Sequence, residues 1–442
     1  MATEATVLDL TNRTKLVGES LWNAQAHMPS VLQRRIVITE GHGAYLTTSE
    51  GQRLLDATAG LWHANIGHGR EAVAKAAYDQ MCKLETYHVF GRFSNDVALS
   101  LADRLVAMGP IPDAKVIFNS GGSDSVDLAC KIARRHWQLE GMTDKKTILS
   151  RTYSYHGLHA FGTSIAGLDF NRDGYGSDSL VPETALVPTN DIEGVQAVVD
   201  AIGPENIAAI ITEPIIGTGG VIPPAAGYLE GLQQIARKNN ILLIVDEVIT
   251  GFGRAGSMFA SQRFQLEPDM ILLAKGITSG YAPLGGVLVS NRIWGRFYRG
   301  QDAPVLRHGM TYSGHATACA VAHANLDILE NEQLVLRALE LESVLDKALA
   351  PLASHPLVQE IRSGVGFLAG VQLAPEADAE AVANSCIANG VVVRPLRGNT
   401  LQISPPFVVG DEDVDLIAAT IGQVLDASGS TPPPASSEQA GT

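Results

Sequence analysis

The chain has 442 residues, an apolar fraction of 45% and a formal net charge of −15, values typical of a globular protein with about two or three domains and a large core. The acidic balance disfavours a nucleic-acid partner, because binding to a phosphate backbone needs a dense basic face. No apolar run reaches the roughly 18 to 20 residues that span a bilayer, so a membrane partner is not expected.

The N-terminal residues and the cysteines both bear on the cellular compartment. Residues 1–14 are acidic and polar and lack the basic and apolar regions of a secretory signal. The four cysteines lie far apart and form no CxxC pair. Both features favour a reducing cytoplasm. His156 and His159 have a spacing that could bind a metal, but no carboxylate or cysteine supports them, and no metal is assigned.

The first part of the chain is predicted to be a tail followed by a short structured segment. Residues 1–10 are polar and are predicted to be disordered. Residues 11–65 contain two short strand candidates, 36–38 and 44–46, and are predicted to pack with the C-terminal part of the chain.

Residues 66–325 are predicted to form a large domain, because short apolar runs alternate there with helical periods such as 192–201 and 229–238. The strand candidates are residues 115–118, 148–149, 185–187, 207–211, 241–245, 270–273 and 286–289. This pattern is typical of α/β proteins whose mainly parallel sheet is covered by helices on both faces.

A smaller α/β domain is predicted for residues 326–426. Its helices are expected near 332–349 and 379–388, and its strands are expected at 358–361, 367–371, 391–393 and 401–403. Residues 427–442 are rich in Ser, Pro and Gly and are predicted to form a second disordered tail.

In open α/β sheets, ligands bind beyond the carboxyl ends of the strands. Three predicted strands of the large domain are followed by residues with distinctive chemical groups. Gly121, Gly122 and Ser123 follow a strand and begin a helix, so they form either a phosphate-binding turn or an ordinary turn. Asp246 follows strand 241–245 and either caps the next element or pairs with a cationic ring nitrogen.

Lys275 is the third residue of this kind, after the apolar run 270–274. A lysine at the inner end of a buried strand is costly to desolvate, so it is expected to be paired or partly neutral. A neutral amine beside a carbonyl group forms a Schiff base. A phosphate cradle, a carboxylate and a lysine are together the groups that pyridoxal phosphate requires.

Residues 241–280 resemble the signature of the class III, fold type I pyridoxal-phosphate aminotransferases. The segment reads ILLIVDEVITGFGRAG from residue 241 and continues through Pro268-Asp269-Met270 to Lys275-Gly276. The similarity extends over roughly residues 15–425 and is strongest to ω-amino-acid:pyruvate and amine:pyruvate transaminases. The resemblance implies pyridoxal 5′-phosphate as cofactor and a fold in which the N- and C-terminal parts together form the small domain.

The resemblance also implies roles for individual residues. Lys275 matches the lysine that forms the Schiff base and later moves the proton, and Asp246 matches the acid that keeps the pyridine nitrogen protonated. The further implied cofactor contacts are Gly121, Gly122, Ser123, Tyr155, His156, Gly157, Glu213, Val248 and Thr311. Tyr155 and Val248 match the residues on the two faces of the ring. Thr311 matches a threonine that reaches the phosphate in the neighbouring subunit, which implies a homodimer or a dimer of dimers.

On the substrate side, the resemblance implies Trp62, Phe90, Tyr155 and Arg394. Arg394 matches an arginine that pairs with the carboxylate of a keto acid, a task that suits a guanidinium. The segment from Arg394 to Pro405 is one residue longer than usual and contains Arg397, so either arginine is a candidate. Ornithine and 4-aminobutyrate aminotransferases carry a glutamate where this chain has Thr218, so the chain resembles these two groups less than it resembles the ω-transaminases.

The predicted function is transfer of an amino group from an ω-amino acid or primary amine to an α-keto acid, with pyruvate expected as the acceptor. A decarboxylase, racemase or aminomutase on the same scaffold is the nearest alternative. A nicotinamide-dependent dehydrogenase is disfavoured, because the glycine turn lacks GxGxxG spacing and Lys275 would have no role. A catalytically inactive scaffold protein is disfavoured by the intact lysine and aspartate.

Overall fold

The computed structural model describes residues 20–176 and 180–429. Its central sheet has seven strands, in spatial order Lys115–Asn119, Gly285–Val289, Met270–Leu273, Leu242–Asp246, Ile207–Thr212, Thr147–Arg151 and Thr184–Val187. The last five of these pair in parallel, and Gly285–Val289 runs antiparallel to both of its neighbours. The mainly parallel sheet predicted from sequence is therefore confirmed.

Both faces of this sheet are covered by helices. Every residue of the strands Ile207–Thr212 and Leu242–Asp246 is buried, as expected for parallel strands between two layers of helices. Helix Gly122–Leu139 packs on one face and helix Tyr228–Lys238 on the other. Trp137 illustrates the packing, since its ring is buried and its indole N–H donates to the carbonyl of Ala208 at 2.8 Å.

Further helices surround the sheet. They are Glu71–Leu84, Asp96–Met108, Ala160–Ser164, Ile192–Ile202, Ala260–Arg263, Asn291–Tyr298 and Ala316–Asn331, with 3-10 turns at Asp169–Asn171, Pro204–Asn206 and Lys275–Ile277. The sequence patterns above do not identify Glu71–Leu84, Asp96–Met108 or Ala316–Asn331. The last of these is rich in alanine and is buried on several sides, so it shows no clear amphipathic period.

The N- and C-terminal parts share a sheet. Strands Ile38–His42, Tyr45–Thr48 and Arg53–Asp56 form a meander, and Arg53–Asp56 pairs in parallel with Val391–Val392. The first strand begins two residues after the predicted start, because Ile38 is the residue that pairs with Thr48 across the hairpin.

The C-terminal part also has a sheet of its own. Its strands in spatial order are Val358–Arg362, Ala369–Leu373, Thr400–Ile403 and Arg394–Leu396. The remaining elements are the helices Met28–Gln33, Ala59–Trp62, Leu334–Leu349, Ala379–Ala388 and Asp411–Gly429, and the 3-10 turn Ala350–Ser354. The last helix includes residues 427–429, which the sequence assigned to the tail, while residues 1–10 and 430–442 lie outside the described residues. The domain boundaries stay a prediction.

Arg254 joins the three parts of the chain. Its side chain is fully buried, and its guanidinium donates to the carbonyl oxygens of Phe367 at 2.9 Å and Pro405 at 2.7 Å and to the amide oxygen of Asn65 at 3.0 Å. Burial lowers the pKa of Arg254 to about 9. One cation thus connects the large domain to the N-terminal segment and to the C-terminal part. Among the helices described, none is both long and apolar enough to cross a bilayer.

Candidate active site

A cavity of about 140 Å³ lies at the carboxyl ends of the parallel strands. Asp246 is the last residue of its strand, and Lys275 follows the neighbouring strand Met270–Leu273 by two residues. The lining residues are Gly122, Ser123, Val126, Tyr155, His156, Gly157, Glu213, Ile215, Asp246, Val248, Ile249 and Lys275. The fold therefore brings together nine of the residues singled out in the sequence, from five separate segments.

Lys275 begins a 3-10 turn with a left-handed backbone conformation, at a φ of 47°. Burial lowers the pKa of its amine to about 8, and the proximity of Arg394 acts in the same direction. The negative charges of Asp246 and Glu213 oppose this shift. A pKa of about 8 leaves roughly a tenth of the Lys275 amine neutral, and therefore nucleophilic, at pH 7.

Asp246 is held by two hydrogen bonds. One of its oxygens accepts from Nδ1 of His156 at 2.8 Å, and the other accepts from the backbone N–H of Val248 at 3.1 Å. Because the carboxylate only accepts, the proton of this bond belongs to the histidine ring. His156 is buried, and its Nε2 has no hydrogen-bond partner in the described part of the chain. His156 therefore orients the carboxylate.

The glycine turn forms one end of the cavity. Helix Gly122–Leu139 starts there, and the amides of its first turn have no carbonyl of a preceding turn to bind, which makes the site suitable for an anion. A Cβ atom on Gly122 would lie 2.9 Å from Cγ1 of Val248, and one on Gly157 would collide with Ser123. Gly121, also predicted as a cofactor contact, precedes the helix and does not line the cavity.

Glu213 is a buried carboxylate that positions backbone groups. Its oxygens accept from the N–H groups of Tyr155 and Gly217, each at 3.2 Å. Burial raises the pKa of Glu213. Burial also raises the pKa of the Tyr155 phenol, whose ring lines the cavity. Glu213 thus lines the cavity and also fixes the backbone at Tyr155.

Besides Gly121, four residues expected at the substrate or cofactor do not line this cavity: Trp62, Phe90, Thr311 and Arg394. Trp62 is 2% exposed and packs in an apolar cluster with Ile215 and Ile249, so it stands behind the cavity wall. Phe90 is 46% exposed and packs against Gly309, and Thr311 lies in an exposed turn just beyond. Phe90 and Thr311 share one outer surface.

The two candidate arginines differ in their surroundings. Arg394 is half-buried, and its charge interacts with Tyr155 and Lys275 of the cavity. Burial lowers the pKa of Arg394, although the Tyr155 phenol opposes the shift. Arg397 is exposed, and its guanidinium carbon lies 4.3 Å from the centre of the Tyr153 ring.

Sequence reasoning missed three apolar lining residues, Val126, Ile215 and Ile249. Each lies one to three residues beyond a predicted site residue, and this spacing is the signal that could have found them.

A larger and more open depression lies beside helix Asn291–Tyr298. Its three arginines are already engaged: Arg292 pairs with Asp269 at 3.2 Å, Arg296 pairs with Glu140 at 2.8 Å, and Arg299 donates to Oδ1 of Asn291 at 2.8 Å. Among the described residues, no lysine lines this depression. The smaller cavity is therefore the one equipped for chemistry.

Comparison with known proteins agrees with this geometry. The model of the family "Aminotransferase class-III" matches residues 27–425. The omega-aminotransferase of Caulobacter vibrioides is 36% identical over 429 residues, covering 90% of this chain and 96% of that protein. The putrescine–pyruvate aminotransferase of Pseudomonas aeruginosa is 35% identical over 419 residues, covering 88% and 90%.

The fold agrees as well. The solved structure of an amine transaminase from an uncultivated Pseudomonas species, in its PLP-bound form, has a TM-score of 0.89 at 34% identity and covers 93% of this chain and 99% of that chain. The protein is an enzyme of fold type I that transfers amino groups between small molecules. The chain belongs to the class III aminotransferases.

Class III aminotransferases use pyridoxal 5′-phosphate, and the cavity fits this cofactor. Glycine at positions 122 and 157 lets Val248 and Ser123 pack closely where a Cβ would collide with them, beside a helix N-terminus suited to a phosphate. The oriented carboxylate of Asp246 and the partly neutral amine of Lys275 line the same cavity. When bound, the cofactor supplies an aldehyde that condenses with amines and a ring that withdraws electrons.

Proposed function

We propose that this enzyme transfers an amino group from an ω-amino acid or a primary amine to an α-keto acid, with pyruvate as the acceptor and alanine as the product. The observation that carries this proposal is that one small cavity holds the Lys275 amine, the oriented carboxylate of Asp246 and a helix N-terminus. The names of the relatives, which include omega-amino acid–pyruvate and putrescine–pyruvate aminotransferases, support pyruvate.

Within this proposal, Lys275 would bind the cofactor through its amine, and the same amine would then move the proton at the reacting carbon as general base and acid. Asp246 pairs with the ring nitrogen, and His156 keeps the carboxylate in place. The backbone amides of Gly122 and Ser123 would hold the phosphate, while Gly121, whose N–H donates to Oδ1 of Asn119 at 3.1 Å, would fix the turn before them. Tyr155 and Val248, which line the cavity, would contact the ring, and Gly157 and Glu213 fix the loop that carries Tyr155.

We assign binding of the keto-acid carboxylate to Arg394 rather than Arg397. Arg394 is near enough to Tyr155 and Lys275 for its charge to act on both, whereas Arg397 is exposed and stacked on Tyr153. Trp62 would shape the substrate side from behind, through Ile215 and Ile249.

The site is proposed to be completed in a homodimer or a dimer of dimers. Phe90 and Thr311 lie on one exposed surface and do not line the cavity of their own chain, so we assign them to the cavity of a second copy. Exposed aromatic side chains at Tyr87, Phe93 and Tyr312 give the same region an apolar character. The four free cysteines fit the proposed cytoplasmic location.

The decisive experiment measures amine consumption with and without pyruvate. A transaminase stops after one turnover when no keto acid is present, whereas a decarboxylase, racemase or aminomutase continues. Continued turnover without pyruvate would contradict the proposal.

The role of Arg394 can be tested in the same assay. Arg394→Ala should raise the KM for pyruvate by at least about tenfold, since a charged hydrogen-bonding pair of roughly 1.5–3 kcal/mol is lost. The KM for an amine without a carboxylate should change little. If Arg397→Ala raises the KM for pyruvate and Arg394→Ala leaves it unchanged, the carboxylate-binding role belongs to Arg397.

A further inference from the structure

Gln402 is a buried polar residue whose amide is only half satisfied. It lies in the strand Thr400–Ile403 with no exposed side-chain surface. Its amide nitrogen donates to the hydroxyl of Ser404 at 2.8 Å and to the carbonyl of Thr58 at 3.5 Å, which sets the orientation of the amide. Its carbonyl oxygen Oε1 has no hydrogen-bond partner in residues 20–176 and 180–429. Such an acceptor is expected to have a donor in some state of the protein.

Arg394 is the residue directly opposite Gln402 in the antiparallel pair of strands. Residues opposed in this way project their side chains from the same face of the sheet, with Cβ atoms roughly 4.5–5.5 Å apart. The Arg394 guanidinium makes no hydrogen bond or ion pair within the described residues. A fixed acceptor without a donor therefore lies beside a long, charged donor without an acceptor.

We propose that Gln402 is a specificity-determining residue that serves as the resting acceptor for Arg394. The inference rests on the proposed function, in which Arg394 binds the carboxylate of the keto acid. An amine donor without a carboxylate leaves the guanidinium with no anionic partner, and Oε1 of Gln402 then accepts from it. Because a neutral amide binds a guanidinium more weakly than a carboxylate does, the keto acid displaces Gln402 when it enters.

This arrangement lets one pocket accept two kinds of substrate. During the half-reaction with the amine, the hydrogen bond to Gln402 lowers the free-energy cost of keeping an otherwise unpaired guanidinium near Lys275. Its weakness keeps Arg394 available for the keto-acid half-reaction. Because the side chain at position 402 is neutral, it competes only weakly with a substrate carboxylate for Arg394. A charged side chain there would compete strongly and would favour substrates without a carboxylate.

The isosteric substitution Gln402→Glu tests the proposal. A carboxylate at this position should hold Arg394 more tightly and raise the KM for pyruvate by about tenfold or more, with a smaller change in kcat. The inhibition constant of acetate, which needs no chemistry, should rise in parallel. Gln359→Glu adds the same charge at an exposed position of the same sheet and should leave both constants unchanged.

Gln402→Met gives a second test that adds no buried charge. Without the competing acceptor, the KM for pyruvate and the inhibition constant of acetate should fall about twofold to fivefold. Thermal unfolding and cofactor absorbance confirm that each variant is folded and loaded. If Gln402→Glu does not fold, Gln402→Met is the test. An unchanged KM for pyruvate and an unchanged inhibition constant of acetate in Gln402→Met would overturn the proposal.

The double variants separate this inference from the proposed function. In an Arg394→Ala background, neither substitution at Gln402 should alter acetate inhibition further, whereas an undiminished effect there would overturn the proposal. If Arg394→Ala by itself leaves the use of pyruvate intact, the carboxylate-binding role fails. If Arg394→Ala impairs the use of pyruvate and both Gln402 variants behave as wild type, only the role of Gln402 fails.

Discussion

At the scale of single residues, the site depends on groups whose protonation is set by burial and by a few contacts. Lys275 has its pKa lowered to about 8 mainly by desolvation, even though Asp246 and Glu213 favour the charged amine. Asp246 is fixed by the ring of His156. The sequence alone predicts the lysine and the aspartate, because each follows an apolar strand. It cannot predict that His156 supports Asp246, since the two residues are ninety positions apart.

Lys275→Ala should abolish covalent attachment of the cofactor and reduce amine transfer by at least about 10²–10⁴-fold, because the general base is removed. Mass spectrometry after borohydride treatment measures the attachment, and an amine-consumption assay measures the transfer. Lys75→Ala, at an exposed lysine paired with Asp79, is the matched control. Transfer by Lys275→Ala at the wild-type rate would show that the assignment is wrong.

The pKa of Lys275 also predicts a pH dependence. In the apoenzyme the neutral amine is the reactive form, so the rate of cofactor incorporation should rise as pH increases and level off above about 8. Stopped-flow absorbance measures this rate. A rate that keeps rising towards pH 10 would indicate an ordinary lysine.

At the scale of elements, the turn that carries Trp62 is strained and is held by one carboxylate. Ala59 and Trp62 adopt left-handed conformations, with φ of 48° and 67°. Asp56 is fully buried and accepts from the backbone N–H groups of Thr58 at 3.0 Å and Gly60 at 2.8 Å. It also accepts from the Thr58 hydroxyl at 2.7 Å and pairs with His68 at 2.9 Å. The pattern Gly60-Leu61-Trp62 reveals none of this support.

Asp56→Asn should lower the free energy of unfolding by roughly 2–4 kcal/mol at pH 7, because an amide cannot replace all of these accepted hydrogen bonds. Burial alone would raise the pKa of Asp56, but the hydrogen bonds from His68 and Thr58 outweigh burial and lower it. Stabilisation by Asp56 is therefore present above the pKa of the unfolded aspartate and is lost as pH falls through the folded value.

Urea unfolding at several pH values measures this effect. The difference between wild type and Asp56→Asn should shrink towards strongly acidic pH. Asp79→Asn, at an exposed ion pair with Lys75, should cost less than about 1 kcal/mol at any pH. An equal effect of the two substitutions would contradict a special role for Asp56.

At the scale of the whole molecule, the site is expected to be shared between two copies of the chain. Lys275 and its cavity lie at the carboxyl ends of central strands of the sheet, while Phe90 and Thr311 lie on an exposed surface of the same chain. The resemblance implied both sets of residues, but Phe90 and Thr311 do not line the cavity of their own chain. A second copy would bring them back together.

A mixture of two inactive variants tests this arrangement. Lys275→Ala and Thr311→Asp subunits, unfolded and refolded together, should recover about a quarter of the wild-type activity, because half of the dimers are mixed and each mixed dimer has one intact site of two. Sedimentation checks the dimer. Activity of an isolated monomer, or no recovery on mixing, would argue against shared sites.

The amino-acid sequence by itself determined the apolar strands, the glycine turn, Asp246 and Lys275, because these depend on local spacing and on which residues end a strand. Only the tertiary structure decided that His156 orients Asp246, that Glu213 holds the Tyr155 loop, that Trp62 faces the core and that Gln402 opposes Arg394. The first three of these contacts join segments far apart in the chain, and the fourth depends on the register of two neighbouring antiparallel strands, so their geometry follows from sheet pairing and packing rather than from a local residue pattern.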